Sequence, residues 1–144
     1  MPTINGYGSV TCLRIFEAHK VTVTTDAIDV HNGKGIVGDK HYDELRPISL
    51  LLQEAATWRD AQHEAGLCSK KFKENIRIDG IEESALIVGD ILTIEGASLK
   101  IIAEKHCYDQ CPLYDANRVC PMKSGGYFLM PEADGTIHVG SRVF

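Results

Sequence analysis

The chain breaks its apolar residues into short runs and punctuates them with glycine, asparagine, aspartate and proline, and this limits the fold more than any other feature. Residues 9–17 and 20–25 are rich in Val, Thr, Ile and Leu, and Val21 and Val23 alternate with Thr22 and Thr24 at the two-residue period of a strand. Residues 48–52 form a short apolar strand or helix lead-in, and 75–79 alternates like a strand until Gly80. Residues 86–94 and 99–103 predict a hairpin turning over 95–98, and 127–130 with 136–139 predict a second pair around Ala133-Asp134-Gly135. Only 53–65 (QEAATWRDAQHEA), built of strong helix formers and closed by Gly66, reads as a long helix. Short strands with regular turns and one helix predict a mainly β protein with minor α. The expected form is a barrel-like mixed sheet, not a doubly wound α/β fold.

At 144 residues the chain suits a single domain over 1–144. No apolar run approaches the length of a membrane span, and the first residues lack both a basic n-region and an apolar h-region, so a cytoplasmic location is expected. A formal net charge of -5 argues against broad nucleic-acid binding, which needs clustered Lys and Arg to neutralise phosphates.

Chemistry concentrates near the C-terminal end. Cys107, Cys111 and Cys120 fall within fourteen residues, whereas Cys12 and Cys68 stand apart. Five cysteines cannot all pair within one chain, which favours free thiols or ligands. A thiolate is both the nucleophile and the soft metal ligand of cysteine, and Lys105 and His106 are neighbours that would favour it. Sulfur handling, metal ligation by Cys107, Cys111 and Cys120, and plain buried thiols all fit the cluster. Zinc would need a fourth ligand, such as His106 or His138. Elsewhere, the glycines of 35–41 (GIVGDKH) permit close backbone approach to an anion beside Lys40 and His41, although the Walker pattern is absent. A tight connection with solvated charges explains that loop equally well. Arg46 suits bidentate recognition of a carboxylate or phosphate, and Lys70, Lys71, Lys73 and Arg77 form a basic patch. Glu74 and Asn75 sit together where a strand begins, with a structural Asx turn as the plain alternative.

Taken in order, several segments resemble the MOSC family, the domain named after the C-terminal part of molybdenum cofactor sulfurase. They are 35–41, Arg46 with 48–51, 72–76 (FKENI), 86–92 (LIVGDIL) and 99–101 leading to Cys107. Cys107, Cys111, Cys120, Met122, Gly126 and Tyr127 look like the tail of its short, stand-alone members. The resemblance implies a β-barrel of the pyruvate-kinase-barrel-like kind and association with the molybdenum cofactor, a phosphate-bearing pterin dithiolene. It implies that a cysteine carries sulfur as a persulfide or ligates molybdenum. That role goes to Cys107, with Cys111 as the competitor. Lys34, Gly38, Asp39, Lys40, His41, Arg46, Lys71, Glu74 and Asn75 become the expected cofactor-binding set. A cysteine desulfurase or a molybdoenzyme is the expected protein partner. A non-catalytic module that carries the cofactor or molybdate is the alternative, and a small zinc or redox thiol protein a further one. Pyridoxal phosphate serves the desulfurase domain fused to some members; this chain has no room for that domain, so the cofactor is not expected.

Overall fold

β1, Gly8–Ala18, is the longest strand and organises the rest. In the computed structural model, which describes residues 8–18, 21–61, 73–81, 86–104 and 126–144, it pairs on one edge with β6 (Ile76–Asp79). Its other edge meets β11 (Arg142–Val143) near Gly8 and Ser9, and β2 (Val21–Thr25) from Leu13 onward. Eight strands form one sheet in the order β11-β7-β8-β9-β5-β6-β1-β2, where β5 is Ile48–Leu52, β7 is Ile91–Ile94, β8 is Ala97–Glu104 and β9 is Gly126–Pro131. The extra β11–β1 pairing closes seven of these strands into a ring and leaves β2 attached outside it. A second sheet, β10-β3-β4, joins Gly135–His138, Ala27–His31 and Gly35–Ile36.

The ring encloses the core. Val10, Leu13, Ile48, Leu50, Ile76, Ile78, Ile94, Leu99, Ile101 and Leu129 point into it, and Ile28, Val30, Ile36 and Ile137 close it from the second sheet. β5 and β6 run parallel, and a parallel pair needs a crossover; α1, Gln53–Ala61, begins it. α1 lies on β5 and β6 and buries Ala55 and Ala56. All five residues of β5 are buried, which matches an aliphatic run covered on both faces. Among the described residues, the mainly β mixed sheet with one helix expected from the sequence is therefore observed, with strand bonding that returns on itself.

Local details differ from expectation. Residues 86–90 are not strand: Leu86 tucks into the core, and the chain turns at Gly89 before β7 starts. The β7–β8 turn tightens to Glu95-Gly96, with Ile94 opposite Ala97 and Gly96 at φ +94°. β9 and β10 do not pair with each other. β9 inserts between β5 and β8, and β10 crosses to β3. β4 lies in the glycine-rich stretch read as a loop, and β3 and β11 lie where the sequence suggested no element.

Candidate functional site

Alternation along β5 sends Ile48, Leu50 and Leu52 inward and Ser49 and Leu51 outward. A serine facing away from the core within an aliphatic strand marks where polar structure begins. The Ser49 hydroxyl lies 2.9 Å from the Lys73 carbonyl and 3.1 Å from Asn75 Oδ1. The Ser49 amide donates to the same Asn75 oxygen at 3.0 Å. Asn75, 1% exposed, uses its other end as a donor: Nδ2 reaches the Arg14 carbonyl at 3.2 Å and Asp39 Oδ1 at 3.0 Å.

Asp39 comes from the glycine-rich loop. Gly38, at φ +90°, reverses the chain so that the next side chain turns inward, where Asp39 is 5% exposed. Its Oδ1 also accepts from the Phe16 amide at 2.7 Å, and its Oδ2 accepts from the His41 amide at 2.9 Å. The Lys40 amide donates to the Phe16 carbonyl at 2.7 Å. One carboxylate thus fastens the loop to the late part of β1 and to the start of β6, which satisfies backbone groups that would otherwise be buried without partners.

Glu74 is 1% exposed. Its Oε2 lies 2.9 Å from both Nε and Nη2 of Arg77, and its Oε1 lies 4.0 Å from Arg14 Nη1. Two described arginines flank this carboxylate, with Arg14 the more exposed at 22% against 12% for Arg77.

The remaining cations ring this frame. Lys40 is exposed. Half-exposed His41 meets Glu44 at 2.9 Å and packs edge-on against Phe16. Lys34 pairs with Asp43 at 3.1 Å on the surface. Arg46 stacks over Phe128, its guanidinium carbon 5.2 Å from the ring centroid. Phe128 is opposite Ser49, Ser49 bonds Asn75, and the Arg14 amide bonds the Asn75 carbonyl. Phe128 on β9, Ser49 on β5, Asn75 just before β6 and Arg14 on β1 therefore form a row about 14 Å long at ~4.8 Å per step.

Of the residues singled out from sequence, Gly38, Asp39, Lys40, His41, Arg46, Glu74 and Asn75 gather around this row, and Lys34 stands further along the same loop. Lys71, Cys107, Cys111 and Cys120 lie outside the described residues. The described residues on either side of the three-cysteine segment, Glu104 and Gly126, sit at the β8–β9 end level with Leu50 and Leu51. Arg14, Phe16 and Ser49 were not singled out as a site, and Arg77, expected in a basic patch, is 12% exposed and pairs with Glu74. Their signals were present, since each arginine interrupts an aliphatic strand, as Leu13-Arg14-Ile15 and Ile76-Arg77-Ile78. Among the described residues no group of three or more His, Cys, Asp or Glu side chains is placed to hold a metal, and no helix is long and apolar enough to cross a membrane. A groove of about 500 Å³ lined by Glu95, Thr136, His138 and Ser141 contains none of the residues singled out from sequence as cofactor-binding.

The same backbone recurs in solved structures. The YuaD protein from Bacillus subtilis superposes with a TM-score of 0.66 over 95% of this chain and 94% of its own, at 17% identity. The chain shares its fold with YuaD. YiiM from Geobacillus stearothermophilus follows at TM-score 0.58 and 15% identity, over 94% of this chain and 73% of its own. YiiM from Escherichia coli gives 0.57 and 17%, over 94% and 68%. At these identities the likeness is one of fold. No family model and no curated protein matches the sequence.

Proposed function

We propose that this chain is a MOSC-like protein that handles the molybdenum cofactor and carries sulfur on Cys107. One observation above all supports this reading: two segments of the family resemblance, 35–41 and 72–76, meet directly through the 3.0 Å bond between Asn75 and Asp39, 36 residues apart in sequence. Lys40, His41, Arg46 and Arg14 border that meeting point and suit the phosphate of the cofactor, with Lys34 further along the same loop; Lys71 joins this set from the sequence alone. Gly38, Asp39, Glu74 and Asn75 shape the cradle from behind by fixing the loop and the arginines. The bound cofactor would supply a molybdenum centre able to accept terminal sulfur.

In this reading the Cys107 thiolate attacks the terminal sulfur of a persulfide on a partner cysteine desulfurase. A new S–S bond forms on Cys107, the partner's S–S bond breaks, and the partner's thiolate leaves. Cys111 is the alternative acceptor.

The test incubates wild type and Cys107→Ser with the cofactor, a cysteine desulfurase and cysteine. Pterin content and sulfur adducts are then read by fluorescence and peptide mass spectrometry. Wild type should gain a persulfide on Cys107, and the variant should retain pterin without it. Equal sulfur loading of both proteins rules out Cys107 as the carrier. Pterin retention with no adduct on any cysteine would make the chain a carrier module.

A further inference from the structure

We infer that Asp43 is a positioning residue of the candidate site. Its left-handed backbone shapes the loop over residues 35–47 so that Lys40, His41 and Arg46 stand beside the row before any ligand arrives, where, resting on the cofactor reading above, they meet its phosphate. Among the described residues Asp43 is the only non-glycine with positive φ, at 70°. That conformation is strained for an L-residue and persists where its surroundings demand it, above all at functional sites.

The demand is local. The Glu44 amide donates to the His41 carbonyl at 3.1 Å, so residues 41–44 form a turn with Asp43 in its third place. Positive φ at that place and not at Tyr42 marks a type II turn, where glycine or asparagine is the usual occupant. The same turn brings His41 Nδ1 to 2.9 Å from Glu44 Oε1. Two contacts tie it to the start of the loop: the Asp43 amide donates to the Lys34 carbonyl at 2.7 Å, and Asp43 Oδ1 lies 3.1 Å from Lys34 Nζ. Both partners of that ion pair are well exposed, so water screens it and the backbone conformation carries most of the effect. At the neck, Gly35 has φ +130° and no room for a side chain, because a Cβ there would lie 2.7 Å from Pro47 Cβ. Pro47 in turn keeps the preceding Arg46 extended, beside Phe128. Loops whose ends meet in this way are compact and frequently functional. This one is fixed at its neck by Gly35 and Pro47, at its middle by Asp39 and at its last turn by Asp43.

Amide hydrogen exchange and NMR on the ligand-free protein test this, with retention of the molybdenum cofactor as a separate readout. Asp43→Gly and Asp43→Asn accept the same φ. They should keep the protection of the Lys40 and His41 amides and the ring-current shift that Phe128 imposes on Arg46. Asp43→Val places a β-branched residue where the left-handed region excludes it. It should lower the protection of both amides at least about tenfold, abolish the Arg46 shift and weaken cofactor retention about tenfold, while the urea midpoint, which reports the ring, stays near that of wild type. Asp43→Ala should fall between the two. Protection and shift that survive in Asp43→Val, or that are lost equally in Asp43→Gly, would overturn the proposal. So would cofactor retention that follows the urea midpoint across the four variants. A wild type that retains no pterin would overturn the cofactor reading instead, because exchange and the Arg46 shift decide the positioning without any ligand.

Discussion

Replacing Asn75 by alanine should cost this fold more than any surface substitution, because one side chain satisfies three separate elements. The change removes a charge-assisted bond to Asp39, a bond to the Arg14 carbonyl and the acceptor of the Ser49 amide. A bond to a charged group contributes about 1.5–3 kcal/mol and a neutral one about 1, and a buried donor left unpaired costs about 1–3. With partial relaxation the total is about 4 kcal/mol. For a urea slope of about 2 kcal/mol per molar, the unfolding midpoint should fall by about 2 M. Asn75→Asp makes the pattern specific. It keeps an acceptor for Ser49 but sets a second carboxylate against Asp39 at the distance now occupied by the 3.0 Å bond. Two carboxylates so close retain a proton that the unfolded chain has already released, so the folded state binds more protons and stability falls as pH rises above the ordinary carboxylate range. A midpoint shift below about 0.5 M for Asn75→Ala would refute the assignment of this side chain as the joint between loop and ring.

Arg77→Met should destabilise by about 3–5 kcal/mol, since it leaves Glu74 buried without its close partner. Adding Glu74→Leu should recover most of that loss in denaturant unfolding, and no recovery would deny the ion pair its role. Gly96→Ala should lower the thermal midpoint much more than Gly140→Ala. Both glycines have positive φ, costing about 1–2 kcal/mol for alanine, but only a methyl at Gly96 would overlap the Thr136 carbonyl. Arg46→Ala should change stability by less than about 1 kcal/mol while reducing cofactor retention about tenfold, as read by pterin fluorescence after gel filtration.

How much of this was legible in the sequence depended on whether a residue's partner was local. The β7–β8 hairpin could be read because its turn and both strands are contiguous. β9 looked like a partner for β10 for the same reason, yet the backbone of Gly33 and Asn32 bonds Pro131 and Asp134 instead, and each strand takes a distant neighbour. Alternation in β2 announced a strand correctly but said nothing of burial, since Val21 and Val23 face solvent. The glycine loop was recognised as special, whereas the burial of Asp39 was hidden because its partners, Phe16 and Asn75, lie far away in sequence. Ser49 was hidden in the opposite way, inside a run whose aliphatic neighbours suggested only core.

The central claim is tested most directly by the pterin content of the protein after incubation with saturating molybdenum cofactor and removal of the free cofactor. About one pterin per chain, lost when Arg14 and Arg46 are replaced together by alanine in a protein that stays folded, is the predicted result. Protein that emerges free of pterin, or that retains it equally in wild type and the double variant, would contradict the assignment of this row to the cofactor.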